Sequence, residues 1–310
     1  MPFSSTGFRC AMPGLVALAL ASGSVGPVKA EGADQAAPVA GPVANPAANP
    51  DPATKPQAKQ AGSPEAAANE SLAEQAQNPI ANLISLPFQN NTTFGLGPNQ
   101  DRVLNVLNIQ PVVPFALSKD LNLVTRTILP VVSQPAFAGQ QRTGLGDINP
   151  SFFFVPKPRG AWTLGFGPTL LLPTATDQSL GSGQWGAGPA GVAVYTKGAW
   201  VAGALVNQIW SFAGDRDRSA VSAFLVQPFV NYNLPGGWYL VSAPIITANW
   251  QSTSGQWILP VGGGVGRLFR VGRQPMNASI QAYGNVIKPD GFGGVTVRAQ
   301  IQFLFPTGGS

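Results

Sequence analysis

The 310-residue chain contains no histidine and a single cysteine, Cys10, and only 10% of its residues are charged. Without histidine there is no Ser–His or Cys–His nucleophile pair and no imidazole metal site. Every glutamate precedes residue 80, and of the seven later aspartates only Asp147 falls outside turns or loops. A catalytic barrel needs more than this, so the chain reads as a non-enzyme with no cofactor and no metal. The charge content is far below the quarter or so typical of soluble domains. Beyond the first thirty residues, no uncharged apolar run reaches the 18 or so residues that a membrane helix needs. Low charge without such a helix suits a transmembrane β-barrel, whose hydrophobicity is spread over every second residue.

Residues 1–30 read as a signal peptide. Arg9 supplies a positive start, Leu15 to Ala21 an apolar core, and Val28-Lys29-Ala30 a small-residue cleavage site. Cys10 precedes the apolar core, so it should leave with the signal, and the mature chain then has no thiol chemistry.

Residues 31–79 are dominated by Ala, Pro, Gln, Asn and Gly, with two lysines against six acids and no aromatic residue. Such a composition buries too little apolar surface to offset its ordering entropy. The expectation is a disordered periplasmic linker acting as a spacer, with a short helix over Asn69–Gln77 capped by Asn69 or Ser71 as an option. A tether or a periplasmic plug is the sharper alternative.

From residue 80 to the end the chain alternates. In the stretch from Ala223 to Trp250, Phe224, Val226, Val230 and Tyr232 share one parity while Gln227, Asn231 and Asn233 share the other. Pro235-Gly236-Gly237 supplies a tight turn, and a second alternating run follows from Trp238. The same pattern repeats, giving about twelve strands, with short turns at one end and longer loops at the other. Among them are Leu121–Gln134, Trp162–Thr176 and Val295–Phe305. The fold class is therefore all-β: an antiparallel up-and-down transmembrane barrel preceded by a linker.

Trp162, Trp200 and Trp238 each open a strand after a short turn, while Trp185, Trp210, Trp250 and Trp257 sit near the opposite ends. Two such belts are what two membrane interfaces select. On the polar parity lie Asn108, Gln110, Arg126, Asp147 and Gln227, then Asn231, Asn277, Gln281, Arg298 and Gln300. Charge facing lipid at mid-depth costs about 2–4 kcal/mol, so Arg126 and Arg298 should point inward. They would line either a water-filled path or, with Arg126 paired to Asp147, a plugged interior.

Two other features have bland readings. Gly262-Gly263-Gly264-Val265-Gly266 lacks the third glycine of a dinucleotide fingerprint and suits a bend or close backbone approach in a strand. Asp215-Arg216-Asp217-Arg218 has too few carboxylates for a calcium loop and reads as a self-paired, solvated turn.

The segments NPIANLISLPFQNNTTF (78–94), NVLNIQPVVPF (105–115), GLGDINPSFFF (144–154), LVNQIWSFAGD (205–215), QPFVNYNLPGGWYL (227–240) and PVGGGVGRLF (260–269) resemble a bacterial outer-membrane family labelled "MetA-pathway of phenol degradation". Its members often carry the generic name transporter or the label neuromedin U. The resemblance covers residues 70–306 and implies an outer-membrane barrel moving small hydrophobic or aromatic compounds. It supplies no catalytic or substrate-binding residue. The implied location is the outer membrane of a Gram-negative bacterium. The implied partners are membrane lipid, lipopolysaccharide, the barrel assembly machinery and a small organic solute, with no nucleic acid. Two functions remain open: a narrow channel for such solutes, and a non-conducting structural or adhesive barrel. Arg102, Arg142, Arg216 and Arg218, near the outer loops, are candidates for lipopolysaccharide phosphates.

Overall fold

A computed structural model describes residues 64–136 and 140–306. The signal peptide and most of the 31–79 segment, including Cys10, lie outside the described residues.

Twelve strands form one closed antiparallel barrel. The first four are β1 (Ile84–Leu96), β2 (Arg102–Ile109 continued by Val112–Ala116), β3 (Leu121–Gln134) and β4 (Arg142–Leu145 continued by Asn149–Pro156). Next come β5 (Trp162–Leu171), β6 (Gln184–Lys197), β7 (Trp200–Gly214) and β8 (Ser222–Asn233). The last four are β9 (Trp238–Ser242 continued by Ile246–Asn249), β10 (Trp257–Val271), β11 (Gln274–Ile287) and β12 (Val295–Phe305). Each strand pairs with its chain neighbours, and β12 closes on β1 in unbroken register from Ile84 opposite Phe305 to Phe94 opposite Val295. Closure leaves no unpaired edge, as an environment without water requires.

The alternation of the sequence becomes the two faces of the wall. Leu164, Phe166, Phe212, Ile280 and Val286 are exposed on the outside, while Gln89, Asn231, Gln281 and Gln302 are buried within. Asn90, Thr92 and Asn105 share the outward parity, yet they bond one another: Asn105 Nδ2 donates to Asn90 Oδ1 at 2.9 Å and to Thr92 Oγ1 at 2.8 Å. Mutual satisfaction lowers the cost of presenting amides to lipid. The glycine run lies within β10, where a Cβ at Gly264 would collide with the Ile280 carbonyl, so close backbone approach is its role.

Three expectations need correction. The strand expected over Trp162–Thr176 stops at Leu171. After Leu172, which bridges Ile148, Pro173 can donate no ladder bond and the chain leaves the wall. The strand after the PGG turn is interrupted at Ala243-Pro244-Ile245. The described end of the presumed linker is ordered: α1 (Pro64–Gln77) is a helix longer than the optional Asn69–Gln77 turn. Its Leu72 and Ala73 are buried with Ala81 and Leu83 against Leu268 of β10 and Leu304 of β12. Few apolar residues suffice because the barrel supplies the other half of the contact.

Following α1, Ile80 is 2% exposed and packs among inward residues of β2–β4 and β6–β8, including Val124, Phe153, Val194 and Phe229. One side of the bore towards the short-turn end is thus a dry apolar core. Substituting both Leu72→Asp and Leu83→Asp should detach this segment. Proteolysis of the folded barrel is then expected to cut within residues 64–83, while heat-modifiable migration of the barrel itself is unchanged.

Candidate functional site

The bore holds a cavity of about 150 Å³ at mid-barrel. Its floor is the end of α1 and the following turn, Gln75 to Pro79, with Ala81 and Leu83. Gln77 anchors that floor by donating from Nε2 to Asn233 Oδ1 at 2.7 Å. The wall comes from inward positions of β1–β3, β7–β9, β11 and β12.

Most of the sequence candidates converge here. Gln110, Arg126, Gln227 and Asn231 line the cavity, as do Asn277, Gln281, Arg298 and Gln300. Asn108 is half-buried on the inward parity opposite Gln89, outside the cavity wall. Asp147 is 1% exposed and also lies elsewhere. Parity would also have found Tyr239, which flanks Trp238 and Leu240 on the other face and donates from Oη to Asn277 Oδ1 at 2.8 Å. No sequence signal pointed to the floor residues of α1.

The two arginines differ. Arg298 is 4% exposed and held on three sides: Nε donates to Asn91 Oδ1 at 2.9 Å, Nη1 donates to the Ala243 carbonyl at 2.7 Å, and the guanidinium lies 5.0 Å from the Tyr283 ring centroid. Ala243 belongs to the interruption of β9, and its N–H donates to Tyr283 Oη at 2.9 Å. Arg298 and Tyr283 therefore satisfy both backbone groups freed where Pro244 breaks the ladder. Arg126 makes one side-chain hydrogen bond, from Nη2 to Gln110 Oε1 at 2.6 Å. No carboxylate lines the cavity among the described residues. Two guanidinium groups thus line a small chamber that no carboxylate lines among the described residues.

The pairing of Arg126 with Asp147, one reading of the sequence, is not formed. Asp147 accepts from Ala175 N–H at 3.2 Å, Ser182 N–H at 2.6 Å and Ser182 Oγ at 2.7 Å. These bonds pin the segment 172–183 at the long-loop end. Leu180 from the same segment is fully buried against Leu96, Leu104 and Val132. Arg218 clamps it further, donating to the carbonyls of Gln178, Gly181 and Ser182. In this segment Asp177 is held below the ordinary carboxylate range by the Ser179 N–H and hydroxyl, with Arg142 adding to the effect. That contribution persists above the ordinary carboxylate pKa and is lost as pH falls through the lowered value.

All seven tryptophans are exposed on the wall. Trp162 pairs with Tyr195 at 5.1 Å and Trp200 with Tyr232 at 4.7 Å at the short-turn end, while Trp250 meets Trp257 at 5.4 Å at the other. Trp185, Trp210 and Trp238 complete the two belts. Of the arginines considered for lipopolysaccharide, Arg102 donates to the Ala136 carbonyl, Arg142 pairs with Asp177 at 3.8 Å, and Arg218 is committed to its loop.

The barrel fold itself is shared with a known outer-membrane channel. The chain is similar to the crystal structure of an outer-membrane channel from Pseudomonas putida F1, at 18% identity and a TM-score of 0.56, over 72% of this chain and 94% of that one. Fainter likeness is found to outer-membrane phospholipase A of Escherichia coli, at 12% identity and a TM-score of 0.42 over 70% and 92% of the two chains. The CymD monoaromatic hydrocarbon channel matches at 8% identity and a TM-score of 0.44 over 77% and 92%. At these identities the likeness is one of fold. No protein-family model matches the chain, and no curated protein does.

Replacing Asp147 by Ala removes the acceptor of three bonds, each worth about 1.5–3 kcal/mol to a charged group before relaxation. Hydrogen exchange at the Ala175 and Ser182 amides should then accelerate at least about tenfold, with the strand amides of β10 to β12 unaffected.

Proposed function

We infer that the protein is an outer-membrane barrel through which small organic solutes pass by diffusion. The single observation that carries this reading is the mid-bore cavity, where amides and two arginines share the wall with apolar side chains such as Val112, Leu205 and Phe229, and no carboxylate lines it among the described residues. A purely structural barrel can fill its bore with side chains, as this one does beside Ile80, and leave no such cavity. The arginines favour solutes bearing a carboxylate or another anionic group. The sequence resemblance to the phenol-degradation family favours aromatic or hydrophobic ones. Both descriptions fit a small aromatic acid. Short turns and the N-terminal segment are assigned to the periplasm, and long loops to the exterior. The absence of histidine from the sequence supports a non-enzymatic role.

A second reading, a non-conducting envelope barrel, draws on the packing of α1 at the short-turn end and of Leu180 at the long-loop end against the barrel wall. Planar-bilayer recordings of the mature chain, with and without residues 31–79, separate the two. Discrete, anion-preferring current is expected, larger in the truncated form, and Arg126→Gln should lower the anion-to-cation permeability ratio several-fold. Silence in both forms, with folding confirmed and no solute entry into liposomes, would sink the channel reading.

A further inference from the structure

The barrel's charges separate by depth. At the short-turn end Lys119 lies in the β2–β3 turn, Lys157 and Arg159 in the β4–β5 turn, and Lys197 at the end of β6. Arg267 in β10 and Arg273 in the β10–β11 turn complete the set, and all six cations are exposed. The wall carries one carboxylate there, Asp120, which is paired with Lys157 Nζ at 2.7 Å. Helix α1 brings Glu74 to the same end.

The long-loop end is balanced. Arg102, Arg142, Arg216, Arg218 and Lys288 are matched in number by Asp101, Asp177, Asp215, Asp217 and Asp290. Two of these make ion pairs at 3.8 Å, Asp101 with Arg102 and Asp177 with Arg142.

The excess of positive charge sits where the wall meets a membrane surface. Trp162, Trp200 and Trp238 start their strands directly after the turns that carry these cations or beside them, and each is about half exposed on the outer wall. Tryptophan at strand ends marks the headgroup level. Arg267 is fixed at that level, its guanidinium 5.0 Å from the Trp238 ring centroid. Four of the five short connections contribute, so the cations form a collar around the barrel and not a patch on one side. Attraction between such a collar and anionic headgroups acts within about a Debye length, and headgroups at the tryptophan level are within that range.

We propose that this collar is a binding surface for anionic phospholipid headgroups of the adjoining leaflet, with Arg267 on Trp238 as its deepest contact. The opposite end, where cations and carboxylates are equal in number, takes no part. This proposal is independent of whether the bore conducts.

The test uses the mature chain in nanodiscs containing equal phosphatidylglycerol and phosphatidylcholine, with lipids retained after detergent exchange quantified by mass spectrometry. Retention should favour phosphatidylglycerol about tenfold at 50 mM salt and approach parity at 500 mM. The triple variant Lys119→Gln/Lys197→Gln/Arg273→Gln changes exposed residues at or beside turns and should lose most of that preference. The matching variant with Lys119→Arg/Lys197→Arg/Arg273→Lys should keep it. A control of equal charge change at the other end, Arg142→Gln/Arg216→Gln/Lys288→Gln, should also keep it. Heat-modifiable migration confirms assembly of each. Equal retention of the two lipids by the unmodified chain would overturn the proposal. So would loss of preference in the long-loop control alone, or stronger competition by lipopolysaccharide than by phosphatidylglycerol.

Discussion

Backbone hydrogen bonding in a medium without water is the constraint on which the rest of this structure depends. Each strand must find partners on both sides, and the ladder between β12 and β1 supplies the last of them. Closure fixes the parity of every strand, because a slip of one residue would turn amides and arginines to lipid and leucines to the bore. The outward apolar surface, the inward amides and the two tryptophan belts all follow from that one register.

Where the ladder fails, side chains take over its work. The interruption of β9 at Ala243-Pro244-Ile245 is tolerated because Arg298 and Tyr283 bond the freed carbonyl and N–H. This makes Arg298 a strut, whereas Arg126, with one side-chain bond to Gln110, has donors left at the cavity wall. Asp147 likewise spends its carboxylate on holding residues 172–183. Each of the three charges inside the wall thus has a distinct task, and the direct Arg126–Asp147 pair is absent. The bore that results is divided: apolar packing around Ile80 on one side, a cavity lined by both polar and apolar groups at mid-depth, α1 packed at the short-turn end and Leu180 packed at the long-loop end.

The wall was legible in the sequence because alternation is a local signal repeated twelve times. The boundaries of Leu121–Gln134, Trp257–Val271 and Val295–Phe305 can be read from parity and turn residues alone. The contents of the bore were not. Helix α1 has few apolar residues, and its order comes from contacts with Leu268 and Leu304, some two hundred residues away in the chain. The inward path of residues 172–183 depends on a carboxylate from β4, a tertiary fact that no window around DQSLGSG contains. Pro244 and Pro173 were the available warnings, since proline inside a long strand signals an interruption. Parity placed Arg126 and Arg298 inward without distinguishing the strut from the free cation, because that difference lies in partners from other strands.

If small solutes pass through the bore, the mid-bore chamber must be open to small molecules from outside the protein. Gln227→Cys places a single thiol in its wall in a mature chain lacking Cys10. The measurement is the rate at which that thiol is modified in the folded, membrane-inserted barrel by small charged thiosulfonate reagents. Measurable modification, faster with the sulfonate-bearing reagent than with a cationic one of similar size, is the predicted result. A thiol that reacts with neither reagent until the barrel is unfolded would contradict the account.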